Sequence, residues 1–221
     1  MKEDYIVKTN RQFIDQFLAE MKTIVDTIDR DKIDQIIEAM FETWENGKRM
    51  YLMGNGGSAS TASHLVNDFG KCTALPGKKR FKVMGLTDNP ALITALVNDN
   101  GFDNLYSEQL LNFVEPGDTL VGFSAHGGSG KDKAGLWSQN LLKAYMIAKE
   151  YGVKTIGFSG YDGGVMKDLC DICVVVPFNN TQHVENFHLS IGHLVCNRLI
   201  EKIAASEGVE AKPLACGKTS F

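Results

Sequence analysis

The chain has 221 residues, with 27 acidic side chains against 23 basic ones and a formal net charge of −4. This length allows one large or two small domains with a substantial core, and a hydrophobic fraction of 43% argues against intrinsic disorder. The net charge argues against a protein that binds the phosphate backbone of nucleic acids, because that function usually requires a basic surface. Glycine is the one residue type in excess, with 22 copies, or about 10% where about 7% is usual.

The N-terminal sequence and the cysteines favour a cytoplasmic protein without a membrane partner. The first residues lack the apolar segment of a signal peptide, and no run of about 18 apolar residues predicts a membrane span. The five cysteines are scattered, so free thiols are expected in a reducing compartment. Cys170 and Cys173 form a C-x-x-C pair that leads straight into an apolar run, and we interpret them as structural thiols rather than as a zinc or redox site.

Residues 10–46 have apolar side chains at steps of three and four, which predicts two amphipathic helices separated by an Asp-Arg-Asp break. Helices ahead of the first strand form either an arm that contacts another subunit or a cover on the same subunit. We assign residues 1–46 to an N-terminal helical arm, 47–205 to the main domain and 206–221 to a C-terminal tail.

From residue 49 onward, short apolar runs alternate with helical stretches. Strands are predicted at 49–53, 81–86, 119–123, 155–158 and 172–176. Helices are predicted at 58–70, 90–98, 102–114, 138–151 and 182–204. Five strands separated by helices indicate an α/β fold with a doubly wound, parallel, five-stranded sheet.

Glycines concentrate after three of these strands, at 54–58, 124–130 and 159–164. Ligands of open α/β sheets bind at the carboxyl ends of the strands, where backbone N–H groups and serine hydroxyls can hold a phosphate without net charge. Ala59 breaks a dinucleotide-binding G-x-G-x-x-G pattern, and Asp132 stands where a P-loop requires Ser or Thr. Each cluster alone is an ordinary turn, but the three together favour a ligand that resembles a sugar phosphate.

Histidines and carboxylates recur at helical spacing in two segments. His64 and Asp68 are four residues apart, and Glu185 and His193 are eight apart, about 80° around a helix, so each pair can share a face. His188 lies elsewhere on the second helix. Imidazole with carboxylate suits Zn, Ni, Fe or Mn, so we predict metal or acid/base chemistry, with surface ion pairs as the alternative.

Five motifs in this order resemble the sugar isomerase (SIS) family, and within it the phosphoheptose isomerases. They are the Gly-Asn-Gly-Gly-Ser at 54–58 followed by His64, the Asn-Asp-x-Gly-Phe at 98–102, the serine loop at 124–129, the turn at 160–164, and Glu185 with His193. The resemblance covers residues 5–204, nearly the whole chain.

The resemblance implies a homotetramer with active sites at subunit interfaces and a divalent metal, Zn²⁺ in characterised relatives. It implies interconversion of a ketose and an aldose phosphate through an enediol, most simply sedoheptulose 7-phosphate to a heptose 7-phosphate for surface polysaccharide. The implied metal ligands are His64, Asp68, Glu185 and His193, of which Asp68, Glu185 and His193 are also the catalytic candidates. The implied substrate-binding residues are Asn55, Gly56, Gly57, Ser58, Asp99, Ser124, His126, Ser129 and Gln182.

The chain departs from the family pattern at several of these positions. Asp68 stands where Glu is usual and Glu185 where Gln is usual, so either carboxylate is a candidate base. His126 replaces a hydroxyl residue, residues 130–137 are an insertion, and Gln182 replaces an Asp. Two alternatives therefore stay open: an isomerase of another ketose phosphate, and a non-catalytic SIS protein that binds a replication initiator or senses sugar phosphates.

Overall fold

A computed structural model describes residues 8–128 and 137–209. Five strands form its single sheet, as predicted: β1 (Arg49–Gly54), β2 (Lys82–Gly85), β3 (Thr119–Ser124), β4 (Lys154–Gly160) and β5 (Ile172–Val176). Among the described residues, no helix is long and apolar enough to cross a membrane.

Helices precede the sheet and connect its strands. In the described part of the chain they are α1 (Asn10–Thr27), α2 (Arg30–Glu45), α3 (Gly57–Lys71), α4 (Pro90–Asn100), α5 (Leu105–Leu111), α6 (Gln139–Glu150), α7 (Met166–Leu169) and α8 (Thr181–Ser206). The predicted helix at 102–114 is shorter than expected and begins with a 3₁₀ turn at Phe102–Asn104. The one-turn helix α7 lacks the length that a periodic pattern needs, and the sequence did not reveal it.

The sheet is entirely parallel, with the strand order β2-β1-β3-β4-β5. The chain runs outward from β1 to β2 and then crosses back to β3 on the other side of β1. In such sheets the crevice at the carboxyl ends of the two strands where the direction reverses is the usual ligand site. That crevice lies between the loops that follow β1 and β3, which are two of the three predicted glycine clusters.

Side chains alternate between two layers of core on the faces of the sheet. Along β1, Met50 and Leu52 pack in the layer that contains α2, α3 and α8, whereas Tyr51 and Met53 pack in the layer that contains α5 and α6. All four are fully buried. Strands buried on both faces explain the continuous apolar runs in the sequence and confirm the doubly wound α/β fold.

The two N-terminal helices have different roles. Helix α2 buries seven residues, including Ile36, Met40 and Trp44, and is therefore a cover on its own subunit. Helix α1 buries Ile24 fully and Phe17 and Met21 in part, whereas four other apolar side chains form an exposed face. We call this the α1 apolar face; it consists of Phe13, Ile14, Leu18 and Val25, each at least half exposed. The domain boundaries at 46 and 205 stay a prediction.

The glycine clusters after β3 and β4 pack against each other. A Cβ atom on Gly127 would overlap the carbonyl group of Gly163, and one on Gly164 would overlap the carbonyl oxygen of His126. The N–H of Met166 donates to the carbonyl of Gly127 at 2.9 Å, which joins the two loops further. These glycines are therefore required by close contact between loops, which differs from our interpretation of them as room for a phosphate.

The cysteines in the described part of the chain are free thiols. Cys170 and Cys173 are buried, and burial raises the pKa of both thiols. Burial also raises the pKa of Cys196 to about 12. A raised pKa keeps a thiol protonated and unreactive, as expected of structural cysteines.

His188 is a buried core residue that should make the fold sensitive to acid. Its Nε2 lies 3.1 Å from the carbonyl oxygen of Ser159, and its Nδ1 has no hydrogen-bond partner in the part of the chain that the structure describes. Burial lowers its pKa from 6.5 to about 4. The unfolded chain therefore takes up a proton between pH 6.5 and 4 that the folded chain does not, so stability falls as the pH decreases through this window. A shift of this size corresponds to about 3 kcal/mol.

We expect His188→Gln to be less stable than the wild type at pH 7 but to lose less stability between pH 7 and 4.5. Urea unfolding at a series of pH values measures the difference between the two profiles. Parallel profiles would show that His188 titrates normally in the folded protein.

Candidate active site

Three predicted ligands come together where α3 and α8 lie side by side. Nε2 of His64 lies 2.9 Å from Nε2 of His193 and 3.3 Å from Oδ2 of Asp68. The same Asp68 oxygen lies 3.2 Å from Nε2 of His193. The three atoms thus form a small triangle, which brings together His64 and His193, 129 positions apart in the sequence.

The donor set of this triangle fits a divalent metal. Two imidazole nitrogens and a carboxylate oxygen are typical zinc ligands, and bonds of 2.0–2.1 Å to a tetrahedral ion would place them about 3.3–3.4 Å apart. The observed separations are close to that value, and the three ligand atoms lie within 4.8 Å of one another. Both imidazoles are nearly half exposed while Asp68 is largely buried. Such a site would leave a coordination position open to a substrate, as catalytic zinc sites do.

The close approach of the two helices positions the triangle. Gly192 on α8 faces Leu65 on α3, and a Cβ atom at position 192 would overlap the Leu65 side chain. Leu65 and Gly192 are the immediate neighbours of His64 and His193 in the sequence. The helix contact therefore brings the two imidazoles together. On the outer side of α3, the Ser63 hydroxyl donates to the Asp88 carboxylate, which ties the helix to the loop after β2.

Glu185, the fourth predicted ligand, does not belong to the triangle. It precedes His193 by eight residues, or about 12 Å along the helix axis. Its carboxylate lies against Gly57, the first residue of α3, where any side chain would overlap it. Among the described residues no hydrogen bond or ion pair engages this half-buried carboxylate. The N-terminus of a helix favours negative charge, so α3 provides a suitable environment for it.

Asn55 is held in place by other residues of the chain. Its side-chain amide exchanges two hydrogen bonds of 2.9 Å with that of Asn140 on α6, which is fully buried. The Tyr106 hydroxyl donates to the carbonyl of Gly54 and approaches Oδ1 of Asn55 at 3.4 Å. Asn55 therefore anchors the loop after β1, and its contact with substrate stays a prediction. No local pattern in the sequence indicates Asn140 or Tyr106 as its partners.

The predicted phosphate site is described in part. The buried Ser124 hydroxyl lies 3.3 Å from that of Ser138, which precedes α6 and has the left-handed φ of 54°. Ser129 lies outside the described residues. Across the crevice, Gly56 and Gly57 begin α3, and the N–H of Ser58 in its first turn donates to the carbonyl of Asn55.

His126, another predicted substrate-binding residue, lies among aromatic side chains. Its ring centroid is 4.2 Å from that of Tyr161, in the loop after β4, and 5.7 Å from that of Trp137. The Tyr161 hydroxyl lies 3.1 Å from that of Thr181, the first residue of α8. We did not predict Tyr161 or Trp137, because nothing local indicates that separate loops bring these rings together.

Two predicted substrate-binding residues lie apart from the triangle. Gln182 lines a cavity of about 270 Å³ between α1 and the start of α8, together with Phe17 and Glu20. Asp99 is exposed near the end of α4, where Asn98 donates to it at 2.6 Å. The structure therefore does not bring either residue to the triangle within one subunit.

The fold and the triangle define a class of protein, and a family model agrees. The model of the SIS domain matches residues 12–160, about two thirds of the chain. The chain therefore belongs to the SIS domain family.

Curated relatives and solved structures make the likeness more specific. A phosphoheptose isomerase from Clostridium acetobutylicum is 35% identical over 180 residues, covering 81% of this chain and 86% of the relative. The lincomycin biosynthesis protein LmbN from Streptomyces lincolnensis is 39% identical over 163 residues, which are 72% of this chain but only 58% of that protein. The structure of a phosphoheptose isomerase from Neisseria gonorrhoeae superimposes with a TM-score of 0.76 at 26% identity, covering 86% and 98% of the two chains.

Proposed function

We propose that this protein is a metal-dependent aldose–ketose isomerase that converts sedoheptulose 7-phosphate to a heptose 7-phosphate. The relatives support the isomerase activity, because several curated phosphoheptose isomerases are about 35% identical to this protein over most of the chain. The protein is thus a sugar phosphate isomerase and an enzyme. The sugar, the metal and the roles of individual residues are proposals.

The observation that supports metal dependence is the triangle of His64, Asp68 and His193. Three ligand atoms within 3.3 Å of one another, from two helices, form a preorganised donor set. A divalent metal held there would polarise the carbonyl and hydroxyl oxygens of a sugar.

The proton transfers are assigned to Glu185 and His193. Oδ2 of Asp68 contacts the imidazoles of both His64 and His193, so this oxygen is less available to remove a proton from the substrate. Within the described ranges no hydrogen bond engages the half-buried carboxylate of Glu185, and we therefore assign the removal of the proton next to the carbonyl to Glu185. His193 is the candidate acid through its Nδ1, because its Nε2 belongs to the proposed metal ligands, and it would protonate the neighbouring carbon or oxygen. A carboxylate and an imidazole in different environments suit opposite roles in such a transfer.

The phosphate is assigned to the other side of the crevice. Ser124 and Ser138 offer two neighbouring hydroxyls at the end of β3, and the loop after β1 is fixed opposite them by Asn140. Hydroxyl and backbone N–H groups bind a phosphate without requiring a basic protein, which is consistent with the net charge of −4.

Incubation of the purified protein with sedoheptulose 7-phosphate, followed by NMR of the products and by metal analysis, tests this function. We expect an aldose phosphate and about one divalent ion per chain. A metal-free protein that leaves ketose phosphates unchanged would contradict the proposal and favour a non-catalytic SIS binding protein. Conversion of a different ketose phosphate would contradict only the choice of sugar.

The α1 apolar face supports the further proposal of a homotetramer. Monomers rarely expose contiguous apolar patches without an interaction partner. We expect Leu18→Glu, at the centre of this face, to reduce the mass of the assembly. Light scattering after size-exclusion chromatography measures it, with Thr23→Glu, an exposed position about 140° around the same helix from Leu18, as the control. An unchanged mass for Leu18→Glu would exclude this face from the subunit contact.

A further inference from the structure

Three aromatic side chains line the carboxyl edge of β3 and β4. We call His126, Tyr161 and Trp137 the aromatic wall. The ring centroids of His126 and Tyr161 lie 4.2 Å apart, with an interplanar angle of 30°, and those of His126 and Trp137 lie 5.7 Å apart. Trp137 is 57% exposed, unlike Trp44, the other tryptophan, which is buried in the core. The wall therefore presents an accessible aromatic surface.

The backbone of Tyr161 is unusual. Its φ of 55° lies in the left-handed region, which bulky residues rarely adopt and where glycine is relaxed. Glycines occupy positions 160, 163 and 164 of the same loop, yet position 161 carries a large ring. Such strained positions concentrate at functional sites, where the side chain is needed in one orientation. Here the strained backbone places the ring against His126.

The wall is continuous with the proposed phosphate site. His126 follows Ser124 by two residues, and Trp137 directly precedes Ser138, whose hydroxyl meets that of Ser124. At its other end, the Tyr161 hydroxyl meets Thr181 at the start of α8, the helix that carries Glu185 and His193. The wall thus extends from the phosphate site toward the catalytic helix.

We propose that the aromatic wall is a specificity subsite that packs against the carbon chain of the phosphorylated sugar. The C–H groups of a sugar are weakly positive and apolar, and they suit the negative face of an aromatic ring. A few polar groups beside aromatic surface are typical of small-molecule sites. This inference rests on the proposed function in taking the ligand to be a sugar phosphate.

Tryptophan fluorescence tests the subsite without depending on turnover. Acrylamide should quench mainly the exposed Trp137, and saturating sedoheptulose 7-phosphate should reduce that quenching, whereas inorganic phosphate should not. Trp137→Phe should abolish the effect, and Trp44→Phe should retain it. Equal protection by inorganic phosphate, or no protection by a ketose phosphate that the enzyme turns over, would overturn the inference.

Kinetics provide a second readout. Trp137→Ala should raise KM for sedoheptulose 7-phosphate by about tenfold with little change in kcat, because it removes contact with an unreacting part of the substrate. Tyr151→Ala, an exposed aromatic residue at the far end of α6, is the matched control. An unchanged KM for Trp137→Ala would refute the subsite while leaving the isomerase proposal intact. If no ketose phosphate is turned over, the proposed sugar chemistry fails, and quenching protection by other sugar phosphates still decides whether the wall binds them.

Discussion

Glu185→Gln is expected to lower kcat by about 100-fold or more, because a positioned general base typically contributes that much. The amide has nearly the same shape but cannot accept the proton. Since Glu185 lies outside the triangle of His64, Asp68 and His193, its replacement should leave the metal content and KM close to those of the wild type. Turnover of sedoheptulose 7-phosphate and exchange of the substrate's C–H proton with deuterated water measure the loss.

Glu201→Gln is the matched control, because Glu201 is an exposed carboxylate on the same helix and forms a surface ion pair with Arg198. If Glu185→Gln retains turnover and Asp68→Asn loses it, the base is Asp68. If neither change lowers turnover by at least about tenfold, the acid/base assignment is wrong. Loss of the bound metal in Glu185→Gln would instead place Glu185 among the ligands.

His64→Ala is expected to have the second large effect. The substitution removes one of the three proposed metal ligands. Mutating a residue that only orients a ligand typically lowers metal affinity 10–100-fold, so the loss of a ligand itself should lower it by more than about 100-fold. Activity should fall with the metal affinity. The thermal stability of the metal-free variant should match that of the metal-free wild type, because the imidazole is nearly half exposed. Metal analysis and zinc titration of chelator-treated protein provide the measurements.

Lys71→Ala, on the same helix and exposed, should bind metal as the wild type does. Wild-type metal content in His64→Ala would refute the triangle as the metal site. Full activity of a chelator-treated, metal-free wild type would refute metal dependence itself, whichever residues hold the ion.

The five strands of the sheet could be predicted from the sequence, because each strand has a recognisable local pattern of residues. Buried parallel strands such as β3 and β4 are short apolar runs between polar helices, and this pattern is local. The pairing of His64 with His193 was predictable too, because helical spacing and five ordered motifs restrict where each helix lies. Helix α7, only four residues long, has no periodicity to detect.

The environment of individual side chains could not be predicted, because it depends on contacts between distant segments. Asn55 pairs with Asn140, 85 residues later, and this pairing anchors the loop after β1. Glu185 shares a helix and nearly a face with His193, yet it rests against Gly57 rather than in the triangle. The aromatic wall depends on the left-handed backbone of Tyr161, and a tyrosine in the sequence does not predict this conformation.

The absence of a side chain at Gly192 has a consequence for how the protein would acquire the proposed metal. The proposed ligands project from two helices that pack closely in the core through Leu65 and Gly192, rather than from loops that must reorganise around an ion. Apoprotein and holoprotein should therefore share one scaffold, and ion uptake should require neither refolding nor chaperoned insertion. For the same reason, Gly192→Ala should push α3 and α8 apart and so separate the two imidazoles. Residue 192 therefore offers a way to adjust metal affinity without altering any proposed ligand.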